Sequence, residues 1–256
     1  MGTAIELANL RNSVQGLCSL SGTIILRRNH VAGGDPMCGR YTLKTPASVL
    51  TELFGIEEAP SSVTPSYNIA PTQRVATVLS ENGKRKLEML RWGLVPSWAD
   101  DPEIGNRMIN ARAETVAEKP SYRRAFKKSR CLILADGFYE WQKTESGKQP
   151  FHIRMEDESP FAFAGLWESW DNGEEIRSCT IITTDANDLV GEVHNRMPVI
   201  LQPEDYEMWL DPDFDEREPL TSLLKPFPAD AMQAYPVSRR VNKPSNNEPG
   251  CIEPAA

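Results

Sequence analysis

CLILADGFYEW, residues Cys131–Trp141, joins a fully apolar run to the first strand of a hairpin. Cys131–Ala135 has the length and composition of a buried strand. Phe138–Gln142 and Pro150–Arg154 follow as two further strands, with Glu145-Ser146-Gly147 at the turn between them. A buried strand followed directly by a hairpin predicts an antiparallel sheet at the centre of the fold.

Short strands and a few helices surround this centre. Val75–Leu79 and Leu87–Trp92 predict a second hairpin, because Asn82-Gly83 between them is a turn signal. The remaining predicted elements are strands at Cys38–Leu43, Phe161–Trp167, Cys179–Thr184 and Met197–Leu201, and helices from Thr45-Pro46 to Phe54, at Glu114–Lys128 with a break at Pro120, at Ala186–Val193 and at Pro203–Leu210. Gly93–Arg112 and the Pro-rich tail from Asp211 are predicted to be irregular. The pattern indicates an α+β fold with a mostly antiparallel sheet and short flanking helices, in one domain over residues 37–256.

Composition excludes several classes of protein. The chain has 256 residues, of which 40% are hydrophobic and 25% charged, as in ordinary globular proteins. No apolar run approaches the ~18–20 residues that span a bilayer. The chain has 5 cysteines, an odd number, and no CxxC or HExxH motif. We therefore expect free thiols in a reducing compartment, a cytoplasmic location, and neither a disulfide framework nor a zinc site.

The net charge of −8 means that the chain as a whole repels nucleic acid. Any contact with nucleic acid must use a locally positive groove.

Residues 1–36 do not have the pattern of a signal peptide. Charged residues come early, Arg27 and Arg28 follow the one apolar patch, and no small-residue cleavage site follows. Gly33-Gly34-Asp35-Pro36 is typical of a flexible joint. The segment is interpreted as a disordered leader, a cleaved pro-segment or the product of a misassigned start codon, the last being favoured.

Met37-Cys38 suggests chemistry of its own if translation begins at Met37. Removal of the methionine would leave Cys38 with a free α-amine beside its thiol. The two groups have ordinary pKa values of about 7.7–8 and 8.5, so both are partly nucleophilic at neutral pH. An aldehyde would form a Schiff base with the amine, and the thiol could then close a thiazolidine ring. The plain alternative is a small buried cysteine in a strand.

Four further segments carry polar residues that a simple core element would not need. A lone His near a helix end is often structural, and a Glu between aromatic residues is often a half-exposed strand residue. The segments are Ile109–Thr115 (INARAET), Asp136–Trp141 (DGFYEW), Val193–Pro198 (VHNRMP) and Tyr235–Asn242 (YPVSRRVN).

Together with Met37-Cys38-Gly39-Arg40, these segments in this order resemble the SRAP family, the SOS-response-associated peptidases or abasic-site-processing proteins. The resemblance runs from Met37 to about Ile252. It includes NIAP at 68–71, RWGLVP at 91–96 and PVS at 236–238.

The resemblance implies a covalent activity on damaged DNA. In the family, the Cys that follows the initiator Met, here Cys38, bonds to the ring-opened aldehyde of an abasic site in single-stranded DNA and so shields the lesion. The catalytic Asn, Glu and His of the family match Asn110, Glu140 and His194. The family fold is one mixed α/β domain whose sheet curves around a DNA groove. We expect abasic single-stranded DNA as partner, a monomer, a nucleoid location in a prokaryote, and no membrane, cofactor or metal.

The chemistry of each matched residue suggests a physical role. Asn110 can hydrogen-bond the sugar or the amine and hold the reactants at attack distance. Glu140, between Tyr139 and Trp141, is expected to have a raised pKa through desolvation, which suits proton exchange with the amine and the carbinolamine. His194 can protonate the ring oxygen of the deoxyribose, which opens the sugar.

DNA binding also needs phosphate partners and stacking surfaces. Arg40, Arg112 and Arg196 lie within two residues of the proposed catalytic residues, and Arg239 and Arg240 are weaker candidates. The faces of bases are expected against Trp92, Trp98 and Pro71, with core packing as the alternative for Trp92. The basic run from Arg123 to Arg130 is interpreted as a solvated helix face.

Three other functions stay open at the sequence level. Cys38, His194 and Asn110 have the residue types of a thiol peptidase, which could cleave the chain before Cys38. A glutamine amidotransferase also begins Met-Cys-Gly, although the downstream motifs do not fit one. A non-catalytic reader of damaged single strands would bind reversibly and in a salt-sensitive way.

Overall fold

The computed structural model describes residues 38–60 and 63–255. The expectations for residues 1–36 lie outside the described residues. The described residues cluster into a single unit. Among the described residues, no helix is long and apolar enough to cross a membrane.

Thirteen strands, five short α-helices and five 3-10 helices make up the regular structure of the described residues. The strands are β1 Tyr41–Leu43, β2 Ser66–Ile69, β3 Arg74–Glu81, β4 Lys84–Trp92, β5 Asn110–Arg112, β6 Arg130–Ala135, β7 Gly137–Thr144, β8 Gly147–Met155, β9 Phe161–Asp171, β10 Glu175–Asp185, β11 Arg196–Pro198, β12 Ile200–Leu201 and β13 Met232–Pro236. The helices are α1 Ala47–Leu53, α2 Arg123–Lys128, α3 Asp188–Gly191, α4 Tyr206–Leu210 and α5 Arg217–Ser222.

The strands form two sheets. The first has the order β13-β8-β7-β1-β2 and is antiparallel throughout. In the second, β3, β4, β10, β9 and β6 pair in a closed ring, because β9 pairs with both β6 and β10. Only the pairings of β10 with β4 and β5 are parallel. Closure removes the free edges from these five strands.

The segment CLILADGFYEW connects the two sheets. Its apolar half is β6 in the second sheet, and its polar half begins β7 in the first. Asp136 lies at the crossing, where its carboxylate accepts hydrogen bonds from the N–H of Lys44, and from the N–H (3.1 Å) and hydroxyl (2.6 Å) of Thr45. These bonds fix the end of β1 next to the start of β7, so one residue sets how the two sheets join.

The hairpins follow the turn chemistry of the sequence. Asn82 and Gly83 have φ values of 54° and 76°, and the strands β3 and β4 pair without interruption from Glu81 opposite Lys84 to Arg74 opposite Arg91. Two successive positive φ values are typical of the tight turn that Asn-Gly favours.

The structure confirms the α+β class and the mostly antiparallel pairing, and it corrects several boundaries. Only Arg123–Lys128 of the predicted helix Glu114–Lys128 is α-helical. Met197–Leu201 is split, because the backbone of Val199 bonds across to Ile182 of β10 and Ala164 of β9. The tail from Asp211 is ordered: it contains α5 and β13, and β13 extends the first sheet beside β8.

The basic run on α2 divides into two parts. Arg123, Arg124, Lys127 and Lys128 are exposed, as predicted for a solvated face. Arg130 is instead buried, and its guanidinium donates to backbone carbonyls such as those of Phe126 and Trp209. Carbonyl acceptors compensate its desolvation, which sequence reasoning did not predict.

Candidate active site

Cys38 and Glu140 are in direct contact. The backbone nitrogen of Cys38 lies 2.8 Å from Oε1 of Glu140 and donates a hydrogen bond to it. The pairing of β1 with β7 produces this contact, since Tyr41 is opposite Phe138 and the N–H of Tyr139 donates to the carbonyl of Arg40. The residues that precede β1, including Cys38, therefore run alongside Glu140.

Glu140 is a buried carboxyl group, with 3% of its surface exposed. Burial raises its pKa to about 8, although hydrogen bonds from the backbone N–H groups of Cys38 and Trp141 and the charge of Lys148 act in the opposite direction. At neutral pH this side chain can therefore hold a proton beside the nitrogen of Cys38.

Cys38 is 2% exposed and has a φ of 43°, in the left-handed region that non-glycine residues seldom adopt. Burial raises the pKa of its thiol well above the ordinary value, and the charge of Glu140 raises it further. The nitrogen in this structure is a peptide amide. In a chain that begins at Cys38, the same atom would be an α-amine.

Asn110 is the first residue of β5, which pairs with β10 so that Asn110 lies opposite Ile181. Its position is fixed through the preceding residue, because Nε1 of Trp92 donates to the carbonyl of Ile109 at 2.9 Å. The ring of Trp92 also packs edge-on against Tyr41 of β1, with ring centroids 5.3 Å apart. Trp92 thus connects the strand that carries Asn110 with the strand that follows Cys38.

His194 follows α3, and its Nδ1 accepts a hydrogen bond from the N–H of Arg196 at 3.2 Å. In a neutral ring this contact places the proton on Nε2. The segment before His194 is attached to β7, since Nε2 of Gln142 donates to the carbonyl of Glu192 at 2.9 Å. Gln142 lies two residues after Glu140, on the same face of the strand.

The four expected catalytic residues therefore have unequal structural support. Cys38 and Glu140 touch. The segment of Asn110 is connected to β1 through Trp92, and the segment of His194 is connected to β7 through Gln142.

The three expected phosphate ligands differ in how their charge is used. Arg40 donates to Oδ1 of Asn68 at 2.8 Å and to the carbonyl of Val241 at 2.7 Å, and burial lowers its pKa. Its contacts are all with neutral acceptors. Arg112 is exposed and makes no ion pair within the part of the chain that the structure describes. Both guanidinium charges are thus free of a bound carboxylate.

Arg196 is engaged in a different way. Its guanidinium bonds to the carboxylates of Glu114 and Asp185 and to the carbonyl of Thr183. Two carboxylates already neutralise its charge, so a phosphate would have to compete with them. This arrangement disfavours the expected phosphate contact and identifies Arg196 as a link between β11, β10 and the residues after β5.

The two candidate tryptophans also differ in how much of each side chain is exposed. Trp92 is 0% exposed, which corrects the expectation that it covers the face of a base and supports the core-packing alternative. Trp98 is 60% exposed and keeps a ring surface available for stacking. Pro71 is partly exposed in the loop after β2.

Sequence reasoning assigned no role to two residues that hold the site together, although the first belongs to the NIAP motif at 68–71. Asn68 is 1% exposed, and its Nδ2 donates to the carbonyls of Val241, Lys243 and Asn246. These bonds fasten the PVS-containing C-terminal loop beside Arg40. The other residue is Gln142, whose only sequence signal is its spacing from Glu140. No three His, Cys, Asp or Glu side chains within residues 38–60 and 63–255 are grouped as metal ligands would be.

Comparison with known proteins defines the class. Residues 37–244 match the family model described as SOS response associated peptidase (SRAP). The chain therefore belongs to the SRAP family.

Particular relatives agree with this assignment. The chain is 46% identical over 222 residues to the abasic site processing protein YoqW of Bacillus subtilis, an alignment that covers 85% of this chain and 99% of the relative. It is 34% identical over 221 residues to the abasic site processing protein HMCES of Xenopus tropicalis, with 73% of this chain and 65% of the relative covered. A crystal structure of a protein from Bacteroides thetaiotaomicron superimposes with a TM-score of 0.78 at 31% identity and covers 86% of this chain and all (100%) of the other.

Proposed function

We propose that this protein processes abasic sites in single-stranded DNA by forming a covalent cross-link through an N-terminal Cys38, after Met37 and everything upstream have been removed. The contact between the nitrogen of Cys38 and the carboxyl group of Glu140 at 2.8 Å is the observation that supports this most strongly. The names of the relatives, abasic site processing proteins, point to the same lesion.

The chemistry balances without a cofactor. The α-amine of Cys38 adds to the C1′ aldehyde of the ring-opened sugar and gives a carbinolamine. Loss of one water yields an imine, and addition of the Cys38 thiol across the C=N bond closes a thiazolidine. C1′ then carries one bond to nitrogen and one to sulfur, and the thiol proton ends on nitrogen. One water leaves for each adduct.

Glu140 supplies the proton transfers. It can take a proton from the attacking amine and return it to the hydroxyl of the carbinolamine, which leaves as water. Its pKa of about 8, raised by burial, lets the acid form exist at neutral pH. An ammonium group at Cys38 would lower this pKa by direct charge attraction, so the pair can share a proton.

Asn110 and His194 act on the sugar in this proposal. Asn110 orients the aldehyde or the amine, and His194 donates the proton on Nε2 to the ring oxygen when the sugar opens. Arg40 and Arg112 bind the flanking phosphates, and Trp98 with Pro71 receives neighbouring bases. Arg196 serves mainly to position the His194 segment, because its charge is already neutralised.

The state of the thiol supports this mechanism over proteolysis of other proteins. A thiol peptidase needs an easily formed thiolate. Burial and the charge of Glu140 both raise the pKa of Cys38. A neutral thiol can still close the ring, because the imine is already held next to it.

The decisive experiment combines intact mass with denaturing electrophoresis. Protein and an abasic single-stranded oligonucleotide should give an adduct that survives denaturation and has the summed mass less one water. Cys38→Ala should form none, whereas Cys131→Ala, at another buried cysteine, should react normally. Full cross-linking by Cys38→Ala, or by a chain that keeps a residue before Cys38, would refute the proposal. Reversible, salt-sensitive binding without an adduct would instead indicate a reader of damaged strands.

A second candidate is self-cleavage before Cys38, and one observation favours it. Oε1 of Glu140 contacts the nitrogen that would leave if the Cys38 thiol attacked the preceding carbonyl. A protonated Glu140 could give this nitrogen its proton and be reprotonated by the proton that the thiol releases, and water would then hydrolyse the resulting thioester to a carboxylic acid and the free thiol. Full-length protein should then shorten to Cys38 on incubation, and Glu140→Gln should stay full-length. A wild-type chain that stays intact would rule this activity out.

A further inference from the structure

The segment Val95–Ala99 is held at every second residue by side chains of β9 and β10. The N–H of Val95 donates to Oγ of Ser178 at 2.8 Å, and the carbonyl of Ala99 accepts from Nε1 of Trp170 at 2.7 Å. Between them, the N–H and hydroxyl of Ser97 lie against the carboxyl group of Glu168, where they act to lower its pKa against the larger effect of burial. Three successive anchors therefore fix a segment that the sequence alone predicts as irregular loop.

The register of the sheet explains why these anchors coincide. Glu168 and Ser178 are direct partners across β9 and β10, as are Trp170 and Ile176. Glu168 and Trp170 lie two residues apart on one strand and so face the same way. The apolar part of this surface forms a small cluster of Val95, Ala99 and Trp170, separate from the main core.

Glu168 is an unusual residue to use for anchoring a loop. It is only 9% exposed, and burial raises its pKa, which the charge of Arg124 and the two hydrogen bonds from Ser97 oppose. Arg124 of α2 also donates to Oγ of Ser97 at 3.1 Å. Burial of a carboxyl group is costly, and the charge of Arg124 together with the polar groups of Ser97 offsets part of that cost here.

Trp98 lies between two anchored residues and is 60% exposed. An unrestrained loop would turn such a ring against apolar surface, because burial of the ring is favourable. The bonds on Ser97 and Ala99 prevent this rotation of the backbone. The ring is thus presented to solvent by a rigid support.

We propose that Glu168 and Trp170 are positioning residues for Trp98, which they hold outward as a pre-formed stacking surface for a DNA base next to the lesion. This inference rests on the proposed function and adds to it the residues that prepare the DNA surface. Pre-formation matters because a ring that is already ordered loses less conformational freedom on binding.

The test measures equilibrium binding to single-stranded DNA that carries tetrahydrofuran, an abasic analogue without an aldehyde. Trp98→Ala should weaken binding by about 5- to 150-fold, the range that corresponds to one stacked base. Glu168→Leu keeps the side-chain bulk but removes the acceptor for Ser97, and it should weaken binding by about 2- to 12-fold, the cost of ordering one side chain. Glu168→Gln also lacks the carboxylate charge but keeps an acceptor oxygen, so it should retain most of the wild-type affinity.

A double-mutant cycle separates positioning from a general structural effect. If Glu168 and Trp170 act through Trp98, both Glu168→Leu and Trp170→Phe should change binding little when Trp98 is already Ala. Trp170→Phe removes the donor to the carbonyl of Ala99. Ser97→Ala, which removes one surface hydroxyl, provides a milder version of the same test should Glu168→Leu fold poorly. Equal losses in both backgrounds, or no loss with Trp98 present, would overturn the inference.

The double-mutant cycle and the cross-linking assay test separate claims, so a negative result in one leaves the other claim standing. Without cross-linking of true abasic DNA, the proposed function is wrong even if the cycle shows coupling. With normal cross-linking and no coupling, only the positioning role of Glu168 and Trp170 is wrong.

Discussion

Trp92 and Trp98 belong to the same RWGLVPSW segment and yet lie in opposite environments. Trp92 is 0% exposed and holds the strand of Asn110 against β1, whereas Trp98 is 60% exposed. Trp92 belongs to the proposed reaction centre, defined here as Cys38, Glu140 and the residues that pack behind them. Trp98 belongs to the rim, defined here as the exposed residues Trp98 and Arg112.

The reaction centre and the rim use their side chains for different purposes. The reaction centre removes groups from water, which shifts their pKa values and fixes their geometry. The rim keeps aromatic and cationic groups in water, where a ligand can reach them. Changes in the centre should therefore alter stability and rate, and changes in the rim should alter affinity.

The largest expected contrast is in stability. Trp92→Ala should lower the free energy of unfolding by about 3–5 kcal/mol, because it removes a large side chain from a closed core. Trp98→Ala should change it by about 0.5 kcal/mol or less, as an exposed substitution does. Urea denaturation followed by circular dichroism measures both values. Similar losses for the two variants would contradict the division into centre and rim.

The pH dependence of stability should identify the buried carboxyl group of the centre. The pKa of Glu140 is about 8 in the folded chain against 4.5 when unperturbed. Between these values the folded chain binds a proton that the unfolded chain has released, so this contribution is complete below pH 4.5 and is lost as pH rises through about 8. Denaturation of the full-length chain across this range measures it.

Two variants make this test specific. Glu140→Gln cannot titrate and should remove the decline. A chain that begins at Cys38 should show a smaller one, because its ammonium group lowers the pKa of the carboxyl. An unchanged decline in Glu140→Gln would assign the effect to another group.

The rate of adduct formation should depend on the same carboxyl group. Glu140→Gln keeps the shape and an acceptor oxygen for the nitrogen of Cys38 but cannot transfer a proton. We expect the rate at saturating DNA to fall by about 100-fold, which is typical for loss of a general acid–base. Trp98→Ala, measured under the same saturating conditions, should slow the reaction far less. If Trp98→Ala slowed the reaction more than Glu140→Gln does, the rate-limiting step would depend on the rim rather than on proton transfer by Glu140.

The smallest expected effect concerns single phosphate contacts. Arg112→Ala should weaken binding to all sequences alike and reduce the slope of log K against log salt by about 0.7, the value for one contact on single-stranded DNA. Arg196→Ala should change this slope less, since Glu114 and Asp185 already neutralise Arg196. Equal slope changes would show that Arg196 exchanges its carboxylates for phosphate.

Much of the local structure was predictable because it depends on neighbours in the sequence. The Asn82-Gly83 turn, the apolar run of β6 and the hairpin of β7 and β8 follow from turn chemistry and hydrophobic pattern. The tail was predicted wrongly, because β13 is stabilised by pairing with β8 rather than by its own pattern.

By itself, the sequence determined the family, the α+β class and the residue types available for chemistry on a sugar aldehyde. Only the tertiary structure decided which of these residues meet, since the contact of Cys38 with Glu140 joins positions 102 residues apart. It also decided that Trp92 is internal and that two carboxylates neutralise Arg196. The physical reason is that burial, pKa and charge pairing depend on neighbours in space, which strand pairing sets and local sequence does not.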